Sequence, residues 1–213
     1  MAGVSKKKVA IVVPMHNRAE LTPDEQISFQ HLTHYLGAYD KYLAIPESLQ
    51  IRLPGCALKR FGSEYFGSAI ASTRLLLSEN FYRCFEEYHY ILIYHLDALA
   101  LSDQLAAWCE TGLDYIGPPW IRCVDSPWVK DSRVGNGGFS LRKIESFLKV
   151  FRSNEYWIDP DEYWREKYAE RPLHIRLLNS PRRLIKKMPR FNNARLEMAR
   201  WHLRPDGTSN EDH

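Results

Sequence analysis

The sequence has none of the features that mark a membrane-spanning, secreted or cysteine-rich metal-binding protein. No apolar run in its 213 residues approaches the roughly 20 residues that cross a bilayer. The start, residues 1–5 followed by three lysines, does not resemble a secretory signal. The four cysteines are scattered without the paired spacing of a metal site. We therefore expect a cytoplasmic protein whose thiols stay reduced.

The common nucleotide-binding glycine fingerprints are also missing. No Gly-x-Gly-x-x-Gly follows the first apolar segment, which disfavours an oxidoreductase of the doubly wound type. The glycine-rich residues 135–138 lack the Gly-Lys-Ser/Thr ending of a phosphate-binding P-loop. No recognised nucleic-acid-binding module accompanies the basic residues, so we expect no nucleic-acid partner.

What the chain does contain is an alternation of apolar strands and helical segments. With 45% hydrophobic residues it can form one substantial core. Thr22 followed by Pro23 predicts the start of a helix that ends near Gly37. The predicted strands are residues 9–13, 41–45, 90–99 and 115–117, and the further predicted helices are residues 68–88 with a break near Asn80, one from near Ser102 and one from near Arg142. This order predicts a mainly parallel sheet with helices on its faces, which gives way to an irregular region beyond Pro118-Pro119.

The segment of residues 90–99 is the most informative part of the chain. Its isoleucine, leucine and tyrosine residues predict a buried strand that ends at His95 and Asp97, two residues apart and so on the same face. Open α/β sheets bind ligands beyond the carboxyl ends of their strands, where a carboxylate can meet a ligand. The alternative is that Asp97 only caps the following turn or helix.

A second ligand-binding signal is the loop Gly135-Asn136-Gly137-Gly138-Phe139. Adjacent glycines let the backbone come close to a ligand and adopt torsions that other residues avoid. The alternative is a tight turn before the helix predicted near Arg142.

In a doubly wound sheet, three loops converge at the carboxyl edge. They are Pro14-Met15-His16-Asn17, Pro46-Glu47 and His95-Leu96-Asp97. A nucleotide can lie across them, with its base against the first two loops and its diphosphate near the third. A diphosphate beside a carboxylate needs a bridging cation, for which Mn²⁺ or Mg²⁺ with oxygen ligands is suited. His95 suits Mn²⁺ better than Mg²⁺, although a hydrogen-bonding or packing role for His95 stays open.

In their order along the chain, several motifs resemble the GT-A nucleotide-sugar glycosyltransferases. More closely, they resemble short bacterial and viral GT-A-like proteins of poorly defined specificity that are found with polysaccharide genes. The motifs are Val12-Val13-Pro14 with Asn17, Phe81-Tyr82, residues 90–98, Tyr115-Ile116-Gly117-Pro118-Pro119-Trp120, residues 134–142 and Asn210-Glu211-Asp212. Together they span nearly the whole chain.

The resemblance implies a fold, a domain organisation and a set of site residues. The fold is α/β of the GT-A, Rossmann-like type, with a mainly parallel sheet flanked by helices and a small irregular acceptor region. The chain is then a single domain, residues 1–213, with residues 1–119 binding the nucleotide sugar and residues 120–213 on the acceptor side. Because it ends at His213, just after the Asn-Glu-Asp motif, we expect a truncated chain or the first domain of a longer protein.

Most of these roles fall on residues of a motif, whereas His16 and Glu47 come from the converging loops described above. Asp97, with His95 beside it, matches the end of the metal-binding Asp-x-Asp motif, and Glu211 or Asp212 matches the catalytic base. The residues expected to bind the nucleotide sugar are Pro14, His16, Asn17, Glu47, His95, Asp97, Gly137 and Gly138, and those expected to bind the acceptor are Trp120, Asn136 and Phe139.

The resulting expectation is an enzyme of polysaccharide biosynthesis. It transfers a hexosyl or deoxyhexosyl group from a nucleoside diphosphate sugar to a glycan hydroxyl, with Mn²⁺ or Mg²⁺ and with inversion at the anomeric carbon. UDP is the default nucleotide of such donors, and dTDP and GDP are the alternatives. The alternative function is a catalytically silent nucleotide-sugar or glycan-binding module with tryptophan platforms at Trp120, Trp128, Trp157 and Trp164.

Positive charge is concentrated near the end of the chain. Residues 171–204 contain ten basic residues and one acid, a balance of +9, whereas the whole chain carries +3. Such segregation favours attraction to a phosphate-bearing acceptor or to an anionic membrane surface, with the protein bound peripherally. We expect Arg182, Arg183, Lys186 and Lys187 to form the positive face. The alternative is an ordinary solvated helix with Leu184, Ile185 and Met188 turned inward.

Overall fold

A six-stranded sheet flanked by helices organises the first part of the chain. The computed structural model describes residues 6–15, 18–124, 129 and 133–203. These residues form two compact units, one ending at Phe147 and one beginning at Leu148. The boundary therefore lies well beyond the Pro118-Pro119 position at which the sequence pattern changes. We predict from the sequence that residues 1–119 bind the nucleotide sugar and residues 120–213 the acceptor. This is a division of function, and it stays a prediction.

The strands lie in the first unit. They are β1 (Lys7–Pro14), β2 (Asp40–Pro46), β3 (Cys56–Phe61), β4 (Tyr88–Tyr94), β5 (Tyr115–Ile116), β6 (Pro119–Trp120), β7 (Arg133–Val134) and β8 (Phe139–Lys143). β6 and β7 form a separate two-stranded antiparallel ribbon.

The main sheet has the order β3-β2-β1-β4-β8-β5. β1 pairs in parallel with both β2 and β4, and β2 pairs in parallel with β3. β8 is antiparallel to its neighbours β4 and β5. The predicted α/β class is confirmed, and the sheet is mixed.

The two central strands are apolar because both of their faces are covered. Val12 and Val13 in β1 and Ile91 and Ile93 in β4 are fully buried. A strand that is buried on both faces requires a continuous apolar run rather than an alternating one. For this reason the sequence predicts β1, β2 and β4 well, each to within a few residues of the observed bounds.

Two strands of the sheet were not predicted. β3 is an edge strand where we expected a loop, and its Arg60 guanidinium donates hydrogen bonds to the carbonyls of Glu47 and Leu49 at 2.8 and 2.9 Å. β8 occupies the place where a helix was expected near Arg142, and the helix begins only at Ile144. Both strands are short and carry charged residues, so they do not show the apolar pattern of a central strand.

The helices carry the numbers α1 to α8. They are α1 (Pro23–Tyr35), α2 (Ala69–Leu76), α3 (Glu79–Arg83), α4 (Leu105–Glu110), α5 (Ile144–Arg152), α6 (Pro160–Tyr168), α7 (Leu173–Lys186) and α8 (Ala194–Leu203). The helix predicted for residues 68–88 with a break near Asn80 is indeed interrupted there and forms α2 and α3. It ends earlier than predicted, because β4 already begins at Tyr88. No helix within the described ranges is long and apolar enough to cross a bilayer.

Helix α1 begins where the sequence predicts. The Thr22 hydroxyl accepts a hydrogen bond from the Glu25 backbone N–H at 3.3 Å, and the Glu25 carboxylate accepts one from the Thr22 N–H at 2.8 Å. This reciprocal capping box satisfies two N–H groups that the helix cannot satisfy itself. At the other end, the buried Lys41 ammonium donates to the carbonyls of Gly37 and Tyr39, both at 2.8 Å. A cation is favourable there because carbonyl groups accumulate partial negative charge at a helix C-terminus.

The second unit contains helices α6, α7 and α8. The inward orientation considered for Leu184, Ile185 and Met188 is wrong, because all three side chains are exposed. The positive face expected from Arg182, Arg183, Lys186 and Lys187 is partly engaged by α6. Arg183 and Lys187 pair with Asp161 of α6 at 2.8 and 3.1 Å, and the Lys186 ammonium lies 5.1 Å from the ring centre of Tyr163.

We predict that Thr22→Ala lowers the free energy of unfolding by about 1 kcal/mol, because the Glu25 N–H loses its partner. Thr33→Ala is the matched control on the same helix, since the Thr33 hydroxyl only donates to the Phe29 carbonyl on the exposed side. It should leave stability unchanged or raise it, because alanine is the better helix former. Urea unfolding followed by circular dichroism measures both, and equal effects would contradict the capping role.

Candidate functional site

A cleft lies at the carboxyl edge of the sheet between β1 and β4. Its volume is about 320 Å³. The chain leaves β1 toward β2 on one side, whereas β4 lies on the other side, so the direction of winding reverses at this position. Such a switch point is where open α/β sheets bind ligands. The cleft is lined by Pro14, Met15, Thr22, Asp24, Glu25, Tyr65, Phe66, Ser72, Leu75, Leu76, His95, Leu96 and Asp97.

His95 and Asp97 reach the cleft from a turn rather than from a strand. β4 ends at Tyr94, and the Ala98 N–H donates to the His95 carbonyl at 3.1 Å, which closes a β-turn. The predicted strand alternation therefore does not apply to these two residues. Both nevertheless line the same cleft, as predicted, because the turn lies directly at the sheet edge.

A buried hydroxyl fixes the turn that carries Asp97. The Tyr94 hydroxyl lies 3.2 Å from the carbonyl oxygens of Ser28 and Ala98, and it accepts the Ala100 N–H at 3.1 Å. The Ser28 hydroxyl donates to the Ala98 carbonyl at 2.6 Å. These bonds lie among buried groups, where an unsatisfied donor or acceptor is costly. They tie the segment after β4 to helix α1.

The Asp97 carboxylate is exposed and unengaged. It forms no hydrogen bond or ion pair with any residue in the described part of the chain. A capping role for Asp97, the alternative considered from the sequence, has no hydrogen bond to support it here. The carboxylate is thus available to a ligand that enters the cleft.

The lining of the cleft is acidic. It contains the carboxyl groups of Asp24, Glu25 and Asp97 and, among the described residues, no lysine or arginine. Burial alone would raise the pKa of Glu25, but the hydrogen bond from the Thr22 N–H and the charge of Arg18 together hold that pKa below its usual value. Arg18 forms an ion pair with Glu25. The acidic lining therefore disfavours an anionic ligand unless its charge is neutralised.

The glycine loop lies against His95. The His95 N–H donates to the Gly138 carbonyl at 2.7 Å, and the Asn136 side-chain oxygen accepts the Gly138 N–H at 3.1 Å. A Cβ atom at position 138 would lie 3.3 Å from His95 Nδ1, and one at position 137 would lie 2.9 Å from an Arg142 nitrogen. A larger residue at position 137 would clash with the Arg142 guanidinium, and one at position 138 would press on the His95 ring. The loop thus supports His95 through direct contacts.

A buried arginine holds the same loop from behind. The Arg142 guanidinium donates to the Ser140 hydroxyl at 3.0 Å and to the Tyr82 hydroxyl at 2.8 Å, and a third nitrogen lies 3.4 Å from the Gly137 carbonyl. It lies over the rings of Tyr115 and Phe147, 5.8 and 5.4 Å from their centres. Arg142 is 6% exposed and pairs with no carboxylate among the described residues. This arrangement is not recognisable from the sequence, because the partners of Arg142 come from four separate segments.

Several predicted site residues lie elsewhere or outside the described residues. Glu47 is exposed after β2 and does not line the cleft. Phe139 is half-buried with its ring edge-to-face to Tyr94, 5.4 Å between centres, and Trp120 is partly exposed near Gly135. Trp164 is buried against Tyr168, so it is not a free platform, whereas Trp157 is exposed. His16, Asn17, Trp128, Glu211 and Asp212 lie outside the described residues.

Other residues of the cleft were missed from the sequence. Thr22 is predicted only as the start of α1, and Tyr65, Phe66 and Ser72 carry no sequence signal of their own. The available signal was position: each of these segments follows a parallel strand, β1 or β3, at the same sheet edge. Because β3 itself was not predicted, the loop that follows it could not be assigned to that edge.

The described residues contain no group of three or more histidine, cysteine, aspartate or glutamate side chains that could hold a metal ion. Asp97 and His95 are the two predicted metal ligands that line the cleft. One carboxylate and one imidazole are too few for a complete protein cage. A cation held by these two side chains would need its remaining ligands from water or from a bound molecule.

Comparison with known families gives one result. Residues 55–212 match the model of a family described as "Protein of unknown function (DUF5672)". The chain belongs to this family. The DUF5672 match begins just before β3, so it includes the cleft residues Tyr65, His95 and Asp97 and the glycine loop, whereas β1 and helix α1 precede it. No curated protein matches the chain.

We predict that Tyr94→Phe lowers the free energy of unfolding by about 1–3 kcal/mol, because the Ala100 N–H and the carbonyl of Ala98 lose a buried partner. Hydrogen exchange at Ala98 and Ala100 should also become faster. Tyr90→Phe is the matched control on the same strand, because the Tyr90 hydroxyl has no hydrogen bond to another described residue. If both variants behave alike, the hydroxyl does not hold the turn.

The Glu25 carboxylate gives a pH-dependent prediction. Because its pKa is lower in the folded chain than the ordinary value of 4.5, its contribution to stability is complete above that value and is lost as the pH falls through the folded pKa. Glu25→Gln should lower the free energy of unfolding by about 1 kcal/mol at neutral pH and by less in acid. Glu20→Gln, on the neighbouring loop, serves as the control. A deficit that stays constant at low pH would mean that packing, not charge, is lost.

Proposed function

We propose that the chain is a GT-A-type glycosyltransferase. It transfers a hexosyl or deoxyhexosyl group from a nucleoside diphosphate sugar to a hydroxyl of a glycan, with a divalent cation and with inversion. The observation that carries this proposal is the acidic cleft at the switch point between β1 and β4, with the free Asp97 carboxylate at its edge.

The topology of the sheet supports a Rossmann-like assignment. The order β3-β2-β1-β4, with parallel pairing throughout, is that of the first half of a doubly wound nucleotide-binding sheet together with its switch point. The antiparallel β8 brings the glycine loop to the end of β4, where it meets His95. A nucleotide across β1 and β4 would therefore have the loop at its diphosphate end.

The donor set of the cleft supports a cation shared with the substrate. Asp97 and His95 would hold Mn²⁺ or Mg²⁺ on the protein side, and the donor diphosphate and water would supply the other ligands. The bound cation would neutralise the negative charge that grows on the departing diphosphate. Two of the three carboxylates in the cleft lining belong to α1, and Asp97 supplies the third.

The remaining roles follow the motif resemblance. Glu211 or Asp212 would remove the proton from the attacking hydroxyl, while Trp120, Asn136 and Phe139 would contact the acceptor. Phe139 packs on Tyr94 and Asn136 closes the glycine loop, so both would also act by holding the loop in position. UDP is the first donor nucleotide to test, and dTDP and GDP follow.

A catalytically silent nucleotide-sugar or glycan-binding module is the second candidate. The observation that favours it is the presence of His95 where the metal motif has its first acid, which reduces the charge available to hold a cation. Trp120 and Trp157 are exposed enough to stack on a sugar ring.

The test is calorimetric titration with UDP-, dTDP- and GDP-sugars, with and without Mn²⁺, combined with an assay for donor hydrolysis. We expect metal-dependent binding and turnover in the wild type. Asp97→Asn should weaken metal-dependent binding by about tenfold or more and abolish turnover, because the cation loses its carboxylate. Asp103→Asn is the control, since Asp103 accepts a hydrogen bond from Tyr39 outside the cleft and asparagine can still accept it.

The outcomes separate the two candidates. Binding without turnover favours the module, and metal-independent binding that Asp97→Asn leaves unchanged contradicts the role of Asp97. Absence of binding by every nucleotide sugar would contradict the glycosyltransferase and the nucleotide-sugar module, and titration with oligosaccharides would then test glycan binding.

A further inference from the structure

Helix α7 is amphipathic with its apolar side turned to the solvent. Six apolar side chains on and just after it are between 48% and 75% exposed. They are Leu173, Leu177, Leu178, Leu184, Ile185 and Met188. At 100° per residue they fall within a single arc of about 140°. None of the residues of α7 is buried.

The opposite side of α7 contacts the rest of its own unit through polar groups. Arg183 pairs with Asp161 at 2.8 Å and lies 5.5 Å from the ring centre of Trp164. The Tyr168 hydroxyl donates to the Asn179 side-chain oxygen at 3.4 Å. These contacts fix which side of the helix faces α6, and the apolar arc lies on the other side.

Basic residues border the apolar arc. Around the helix axis, Arg182 lies just beyond one edge of the arc and Arg176 lies beyond the other edge. Both are exposed, and neither forms an ion pair within the described residues. With Glu197 as the only acid in residues 171–204, the surrounding charge is strongly positive.

We propose that α7 binds flat on an anionic lipid surface. Leucine and isoleucine side chains enter the boundary between headgroups and acyl chains, while the bordering arginines contact the lipid phosphates, as in interfacial amphipathic helices. The length of α7, about 21 Å at 1.5 Å per residue, suits a helix that lies in the interface.

The charge on α7 decides between lipid and a second copy of the chain. A symmetric dimer through the apolar arc would bring together Arg176 and Arg182 of both copies, which are unpaired within the described residues, and this costs electrostatic free energy. Anionic headgroups neutralise that charge instead. The inference goes beyond the proposed glycosyltransferase activity and does not depend on it, because the nucleotide cleft is formed by other residues.

The experiment is co-sedimentation of the whole chain with vesicles. Vesicles of phosphatidylcholine containing about 30% phosphatidylglycerol should bind it, and pure phosphatidylcholine should bind it about tenfold less. Raising the salt from about 0.05 M to about 0.5 M should release most of the protein, because the shorter Debye length screens the arginines.

Two pairs of matched variants separate the apolar and the electrostatic parts. Leu177→Gln/Leu178→Gln should lower the partition coefficient at least about tenfold, because two large apolar side chains no longer enter the lipid. Leu101→Gln/Leu113→Gln changes two equally exposed leucines elsewhere and should have no effect.

Arg176→Glu/Arg182→Glu should abolish the preference for phosphatidylglycerol. Arg52→Glu/Arg122→Glu alters the net charge equally and should preserve it.

Circular dichroism melting curves check that all four double variants are folded, as expected for exposed positions. Equal sedimentation of the wild type and the α7 variants would overturn the proposal. A second result would also overturn it: the wild type does not bind vesicles, and sedimentation velocity shows that it is a dimer. In this case Leu177→Gln/Leu178→Gln would convert the dimer to a monomer. That result would assign the apolar arc to a second copy of the chain.

Discussion

The parallel pairing of β1 with both β2 and β4 is the constraint on which the first unit depends. With a partner on each side, β1 is central, and the chain must wind outward in two directions from it. The connections after β1 and β4 then diverge and leave a crevice at the carboxyl edge. Because both faces of the central strands are buried, polar side chains near this crevice come from the loops and from the start of α1. The position of Asp97 is a consequence of the strand order.

A few buried polar contacts convert this general topology into one defined site. The Tyr94 and Ser28 hydroxyls hold the segment after β4 against α1, and Arg142 holds the glycine loop against Tyr82. Buried polar networks of this kind specify a single arrangement, since alternatives would leave donors or acceptors unsatisfied. Apolar packing alone would bury β4 equally well without fixing where His95 lies.

The sequence predicts those parts of the fold that are determined locally. β1 and β2 end at Pro14 and Pro46, and α1 starts at Thr22-Pro23, and each of these signals lies within a few residues of the structure it specifies. β3 and β8 could not be predicted in this way. These strands are stabilised by pairing with β2 and β4, which lie far away in the sequence. Such pairing leaves no apolar pattern within the short strands themselves.

The same distinction applies to the candidate site and to α7. His95 and Asp97 were recognisable because they end an apolar run, whereas Tyr65 and Ser72 reach the cleft only through the unpredicted strand β3. The sequence of α7 shows two unlike faces, but only the contacts with Asp161 and Trp164 show which face is inward. Amphipathicity predicts that a face is covered by something, and the partner must be found from the three-dimensional contacts.

The isolated charge of Arg142 has a consequence for any ligand of the cleft. No carboxylate in the described part of the chain pairs with its guanidinium. Its field therefore reaches through the Gly137 carbonyl toward the loop that contacts His95, while Asp24 and Asp97 make the other lining negative. A dipolar molecule that enters the cleft would therefore be favoured with its negative end toward the glycine loop and its positive end toward the carboxylates.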